Sequence, residues 1–123
     1  MNTRFRLDCV SYYVADLDQA VEFYSKVLGL PLSSRDAVAR FDVDGAVLEV
    51  VPTDDRSLLS GKGNARLTLA VEDIEVAAAD LLAQRVPVTD VRDVEGGRLV
   101  SFLDPDGNEI ALREDAEPST PDA

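Results

Sequence analysis

A pattern near the start of the chain returns near its middle. Val14-Ala15-Asp16-Leu17-Asp18 is echoed by Val71-Glu72-Asp73-Ile74-Glu75, Leu30-Pro31-Leu32 by Val86-Pro87-Val88, and the Asp44-Gly45 pair before one alternating strand by Asp106-Gly107 before another. Each copy reads as a strand running into an aspartate-capped helix, then three strands. A chain of 123 residues holding two such copies has room for two very small modules or one compact unit, and for little else.

The first copy opens with a strand over residues 7–14. There Val10, Tyr12 and Val14 share one face, and Cys9, Ser11 and Tyr13 share the other. Asp16 caps a helix predicted over 17–28, with Gln19 completing a capping box. Leu17, Ala20, Val21, Tyr24, Val27 and Leu28 form its apolar stripe, and Gly29 ends it. A short strand follows Pro31, then a turn over 35–37, a strand over 38–43 and a strand over 46–51. The last of these alternates, with Ala46, Leu48 and Val50 on one face and Glu49 between Val47 and Val51 on the other.

Residues 52–63 read as a linker by their glycines and polar residues. In the second copy Ile74, Ala77, Ala78, Leu81 and Leu82 form the helical stripe, and Glu95-Gly96-Gly97 turns the middle hairpin. Asp104-Pro105-Asp106-Gly107-Asn108 is a tight turn into a strand whose Ile110 and Leu112 face away from Glu109, Ala111 and Arg113. The expected division is 1–58, 59–113, and an acidic tail, 114–123, that has no apolar periodicity, is disordered and can be deleted without loss.

Charge and composition narrow the function. Twelve basic against 24 acidic side chains leave a net charge of −12, which disfavours nucleic acid and anionic membrane and mildly favours cationic partners; solubility alone also accounts for it. No run is long and apolar enough to span a membrane, and the first residues lack the apolar core of a secretion signal, so a cytoplasmic protein is expected. One cysteine excludes an internal disulfide. The absence of histidine removes the commonest metal ligand and the commonest general base.

The doubled module, with Phe23-Tyr24-Ser25-Lys26-Val27-Leu28-Gly29-Leu30 closing the first helix and Phe102-Leu103-Asp104-Pro105-Asp106-Gly107-Asn108 before the last strand, resembles the vicinal oxygen chelate superfamily of glyoxalases, bleomycin-resistance proteins and extradiol dioxygenases. The resemblance runs over residues 5–113. It implies an α+β fold of two tandem βαβββ modules, forming an open, cupped mixed sheet around a cavity with the helices outside. It also implies a two-fold dimer. In metal-using relatives four strand positions carry ligands; here the resemblance places Cys9, Glu49, Arg66 and Ala111 at them. Only Glu49 matches the family pattern. Ala111 has no donor and Arg66 is a fixed cation, so no metal and no other cofactor is expected.

The resemblance thus implies a binding cavity lined by Cys9, Ser11, Tyr13, Glu49, Arg66, Thr68, Glu109, Ala111 and Arg113, with Tyr13 placed to stack on a ligand and Tyr12 and Tyr24 in the core. Glu49 and Arg66 are expected to face each other as an ion pair, as part of a mixed-polarity pocket or as a neutralised relic of a metal site. Cys9 beside a cation would be nucleophilic; without a histidine base, an inert thiol is favoured. The leading reading is a metal-independent binding protein that sequesters or carries a small molecule, and the acidic charge suits a cationic one. The alternative is a metal-independent lyase or isomerase with Glu49 as acid or base and Arg66 holding an anionic oxygen. A regulatory or structural partner domain is the third.

Overall fold

The computed structural model describes residues 7–59 and 66–116. Contacts divide the chain into two compact units, with the boundary inside the undescribed residues 60–65. In the first unit the elements run β1 (Cys9–Val14), α1 (Leu17–Glu22), β2 (Leu32–Arg35), β3 (Ala39–Val43) and β4 (Ala46–Pro52). In the second they run β5 (Leu67–Ala70), α2 (Ile74–Ala83), β6 (Arg92–Val94), β7 (Gly97–Leu103) and β8 (Glu109–Asp115). Each unit folds its strands into one four-stranded mixed sheet, ordered β1-β4-β3-β2 and β5-β8-β7-β6. The first and last strands of each unit pair in parallel and the rest antiparallel. This is the βαβββ module, twice.

Asp16 accepts from the Gln19 N–H at 3.1 Å and Asp73 from the Glu75 and Val76 N–H groups at 3.1 Å, so both helices start where the aspartates satisfy their orphan donors. The first helix departs from the expected single α-helix over 17–28. From Phe23 to Val27 it winds as a π-helix, and the Leu28 N–H reaches back to the Phe23 carbonyl. The wider turn carries both Phe23 and Tyr24 into the core, where their rings meet edge to face at 5.3 Å and Tyr24 also lies 5.7 Å from Phe41. In α2 the buried face is Ile74, Ala78 and Leu81, whereas Leu82, expected in the stripe, is exposed. The i, i+4, i+7 face of a ten-residue helix is narrow, and Leu82 falls outside it.

Two strand ends also differ. Gly97, expected in a turn, opens β7 with its Cα pressed against β8: a Cβ there would lie 2.2 Å from the Glu114 carbonyl oxygen. Glu114 and Asp115, expected in the tail, belong to β8. The Glu114 carboxylate accepts from the Arg98 guanidinium at 2.8 and 3.0 Å and from the Ile74 N–H at 3.3 Å, while Arg98 also reaches Glu75 at 2.8 Å. These hydrogen bonds, Glu114 first and Glu75 next, raise the Arg98 pKa further above its already high ordinary value. The expected disorder and dispensability of the tail concern, for 117–123, residues outside those described.

The linker reading is likewise shortened at its start, because Pro52 ends β4 and Arg56–Leu58 form a 3₁₀ turn. Asp55 caps that turn. Hydrogen bonds from the Ser57 hydroxyl and N–H hold its carboxyl below the usual aspartate range.

Candidate functional site

Alternation along the strands sorts side chains between the helix-packed face and the opposite face of each sheet. In the first unit Tyr12, Val14, Leu48 and Val50 are buried beneath α1 together with Phe41, and Tyr12 and Tyr24 are core residues as expected. Cys9, Ser11 and Tyr13 lie exposed on the other side. Register then builds a polar row. Ser11 stands opposite Glu49 across β1 and β4, and Glu49 opposite Arg40 across β4 and β3. The Ser11 hydroxyl donates to Glu49 Oε1 at 3.1 Å, Arg40 Nη2 lies 3.2 Å from Glu49 Oε2, and Arg40 Nη1 donates to the Ser34 hydroxyl at 3.5 Å. The Cys9 sulfur sits 3.9 Å from the Ser11 hydroxyl.

Arg40 was not foreseen as part of this site. The signal was present: a two-residue Asp44-Gly45 turn that pairs Val43 with Ala46 necessarily sets Arg40 opposite Glu49. Asp44 and Gly45 both take positive φ, 54° and 90°, as that turn requires.

In the second unit the corresponding row is Thr68, Ala111 and Ser101 across β5, β8 and β7. Thr68 is exposed and Ala111 fully buried, so Ala111, expected in the cavity lining, presents no accessible surface within this unit. Arg66 precedes β5 and lies 3.4 Å from Glu109 Oε2, both side chains partly exposed. Arg113 turns away from the row. Its Nη2 donates to the Glu95 carbonyl at 2.8 Å and its Nε to Asp115 at 3.3 Å, so it fastens the hairpin turn. The Glu49–Arg66 pair is expected because the two occupy family ligand positions, on different modules, that converge in the relatives. Each has a partner within its own unit, Arg40 for Glu49 and Glu109 for Arg66.

A cleft of about 610 Å³ opens in the second unit. Pro87, Val88, Phe102 and Leu103 give it apolar walls, with Thr89, Ser101, Asp104 and Glu109 as its polar members. Thr89 is stitched to β7 twice: its N–H donates to the Ser101 carbonyl and its hydroxyl accepts from the Ser101 N–H, both at 2.9 Å. Asp104 is occupied in the turn, accepting from Asp106 N–H, Asn108 N–H and the Asn108 side-chain amide, each at 2.8 Å. Of the cleft residues only Glu109 belongs to the cavity lining expected from the sequence. The remainder come together because residues 86–91 run beside β7 without forming a full strand, a path that periodicity does not signal.

The residues at the family's ligand positions do not fit a metal. Glu49 is engaged by a guanidinium and a hydroxyl, Arg66 is a cation, Ala111 has no donor atom, and Cys9 is a single thiol. Among the described residues no group of three Cys, Asp or Glu side chains converges on a metal-sized space. No helix of the described residues is long and apolar enough to cross a membrane.

Comparison with known proteins agrees with this architecture. Residues 6–112 match the model of the Glyoxalase/Bleomycin resistance protein/Dioxygenase superfamily. The chain belongs to that superfamily. Among solved structures it is similar to a putative glyoxalase family protein from Bacillus anthracis, with TM-score 0.81, 18% identity, and 94% of this chain covering 98% of that one. It is also similar to an antibiotic-binding protein from a Streptomyces species, with TM-score 0.77, 25% identity and coverage of 94% and 100%. A lactoylglutathione lyase from Agrobacterium tumefaciens follows at TM-score 0.75, 20% identity and coverage of 92% and 96%. Comparison with curated proteins returns no match.

Proposed function

We propose that this superfamily member binds a small molecule without a metal and without transforming it, sequestering or carrying the compound. The observation that carries the reading is the state of Glu49, the one side chain of the family's ligand pattern that survives: its two oxygens are taken by Ser11 and Arg40. A carboxylate so held is a poor metal ligand and sits in a ready-made polar row suited to recognition. The likeness to an antibiotic-binding Streptomyces protein over 94% of this chain supports an antibiotic or similar compound as the cargo. A cleft of about 610 Å³ is of the size that encloses drug-like ligands, typically ~300–1,000 Å³.

Native mass spectrometry of protein purified from its source cell tests this. The expected result is a co-purifying mass, released unchanged on denaturation. Turnover of any such compound, abolished in Glu49→Gln, would overturn the reading in favour of the lyase or isomerase, in which Glu49 is acid or base and Arg66 stabilises an anion. We also propose a two-fold dimer, since each four-stranded sheet leaves two edge strands that pairing between copies would cover. Sedimentation showing only monomer at micromolar concentration would count against it.

A further inference from the structure

The cleft of the second unit carries charge of one sign. Its carboxylates are Asp104 and Glu109, and no cation is among its lining residues. Asp104 is buried and spent on the turn, with hydrogen bonds to Asp106 and Asn108. Glu109 is different. It stands at the rim with nearly half its side chain exposed, and its ion pair with Arg66, at 3.4 Å and equally open to solvent, is of the weak, exchangeable kind. Beside it the walls are apolar: Pro87, Val88, Phe102 and Leu103.

Resting on the binding reading above, we infer that this cleft takes a ligand with an apolar body and a cationic amine, and that the amine displaces Arg66 from Glu109. The body covers the apolar walls, including the exposed Leu103, and the amine exchanges one exposed ion pair for another at little cost. The net charge of −12 raises the local concentration of such a ligand and disfavours an anion of the same shape. An anionic ligand would instead have to lie against two carboxylates to reach Arg66.

Matched probes of one shape test this: 4-phenylbutylamine and 4-phenylbutyrate, titrated into the ¹⁵N-labelled full chain and followed by amide NMR. The amine is expected to shift Thr89, Ser101, Leu103 and Glu109 and to bind at least about fivefold more tightly than the butyrate, as a charge-assisted contact at a half-open site would give. Glu109→Gln should remove that preference, and Arg66→Gln, which deletes a competing cation, should tighten amine binding. Opposite signs from two neighbouring substitutions are not produced by a general loss of folding, and retained spectral dispersion checks each variant. Equal affinity of the two probes, no binding of the amine, shifts confined to the first unit, or an unchanged preference in Glu109→Gln would each overturn the inference. A neutral or anionic co-purifying compound that shifts these same amides would overturn it while leaving the binding reading standing.

Discussion

Glu49 shows how one residue can be placed correctly and understood incompletely. Strand alternation places it on the open face between two valines, which is where it lies, and the hairpin adds a partner, Arg40, four residues before the Asp44-Gly45 turn. Sequence alternation reports faces, whereas partners follow from register, and register had to be counted through the hairpin. The Glu49 and Arg40 side chains are 23% and 40% exposed, so their coupling should be modest, about 0.5–1 kcal/mol in a double-mutant cycle of Arg40→Leu and Glu49→Leu followed by urea denaturation. Strictly additive effects would show that the two do not interact in solution. The same engagement of Glu49 gives a second expectation. Elemental analysis of protein purified without chelator should find zinc, nickel, iron and manganese well below one per chain. Near-stoichiometric metal that is lost in Glu49→Ala would show that the carboxylate leaves Arg40 to ligate.

Helix starts, hairpin turns and strand faces were legible because each depends on contacts between residues close in sequence. Asp16 and Asp73 cap, the Asp44-Gly45 pair turns, and the Asp104 carboxylate gathers three N–H donors from the next four residues. The π-helical turn at Phe23–Val27 was not legible, since the same apolar spacing fits an α-helix and only packing against Phe41 rewards bringing in two adjacent rings. The end of β8 was missed for a different reason. Glu114 and Asp115 look like tail by polarity, yet Glu114 is held by Arg98 and by the first N–H of α2, and the Ala116 N–H reaches the Gly96 carbonyl at 2.9 Å. A chain ending at Arg113 loses all of these, and its melting temperature should fall by about 5 °C or more, whereas one ending at Ala116 keeps them. Equal melting of the two truncations would show that the last turn of β8 contributes nothing. Gly97→Ala tests the same seam. With the Glu114 carbonyl 2.2 Å from the would-be Cβ, β7 and β8 must separate, and destabilisation of about 1–3 kcal/mol is expected.

At the scale of the whole molecule the acidic excess is the dominant electrostatic fact. Arg35, Arg40, Arg66, Arg98 and Arg113 each pair with a carboxylate, but 24 acids face 12 bases, so half of the negative charge has no basic counterpart. Two effects of salt then oppose each other. Screening weakens the exposed ion pairs, which destabilises the fold slightly, and it also damps the mutual repulsion of the surplus carboxylates, which stabilises it. Among the described residues the pairs are few and partly exposed, each contributing at most about 1 kcal/mol, while the repulsion is summed over the whole surface and acts beyond contact distance. Repulsion should therefore win, and the melting temperature should rise between 10 and 300 mM sodium chloride, concentrations over which the Debye length contracts from ~30 Å to below ~10 Å. Binding of a cationic probe should weaken over the same range, because the field that draws it in is the one being screened. A melting temperature that falls with salt would mean that the ion pairs, and not the surplus charge, set the molecule's electrostatics.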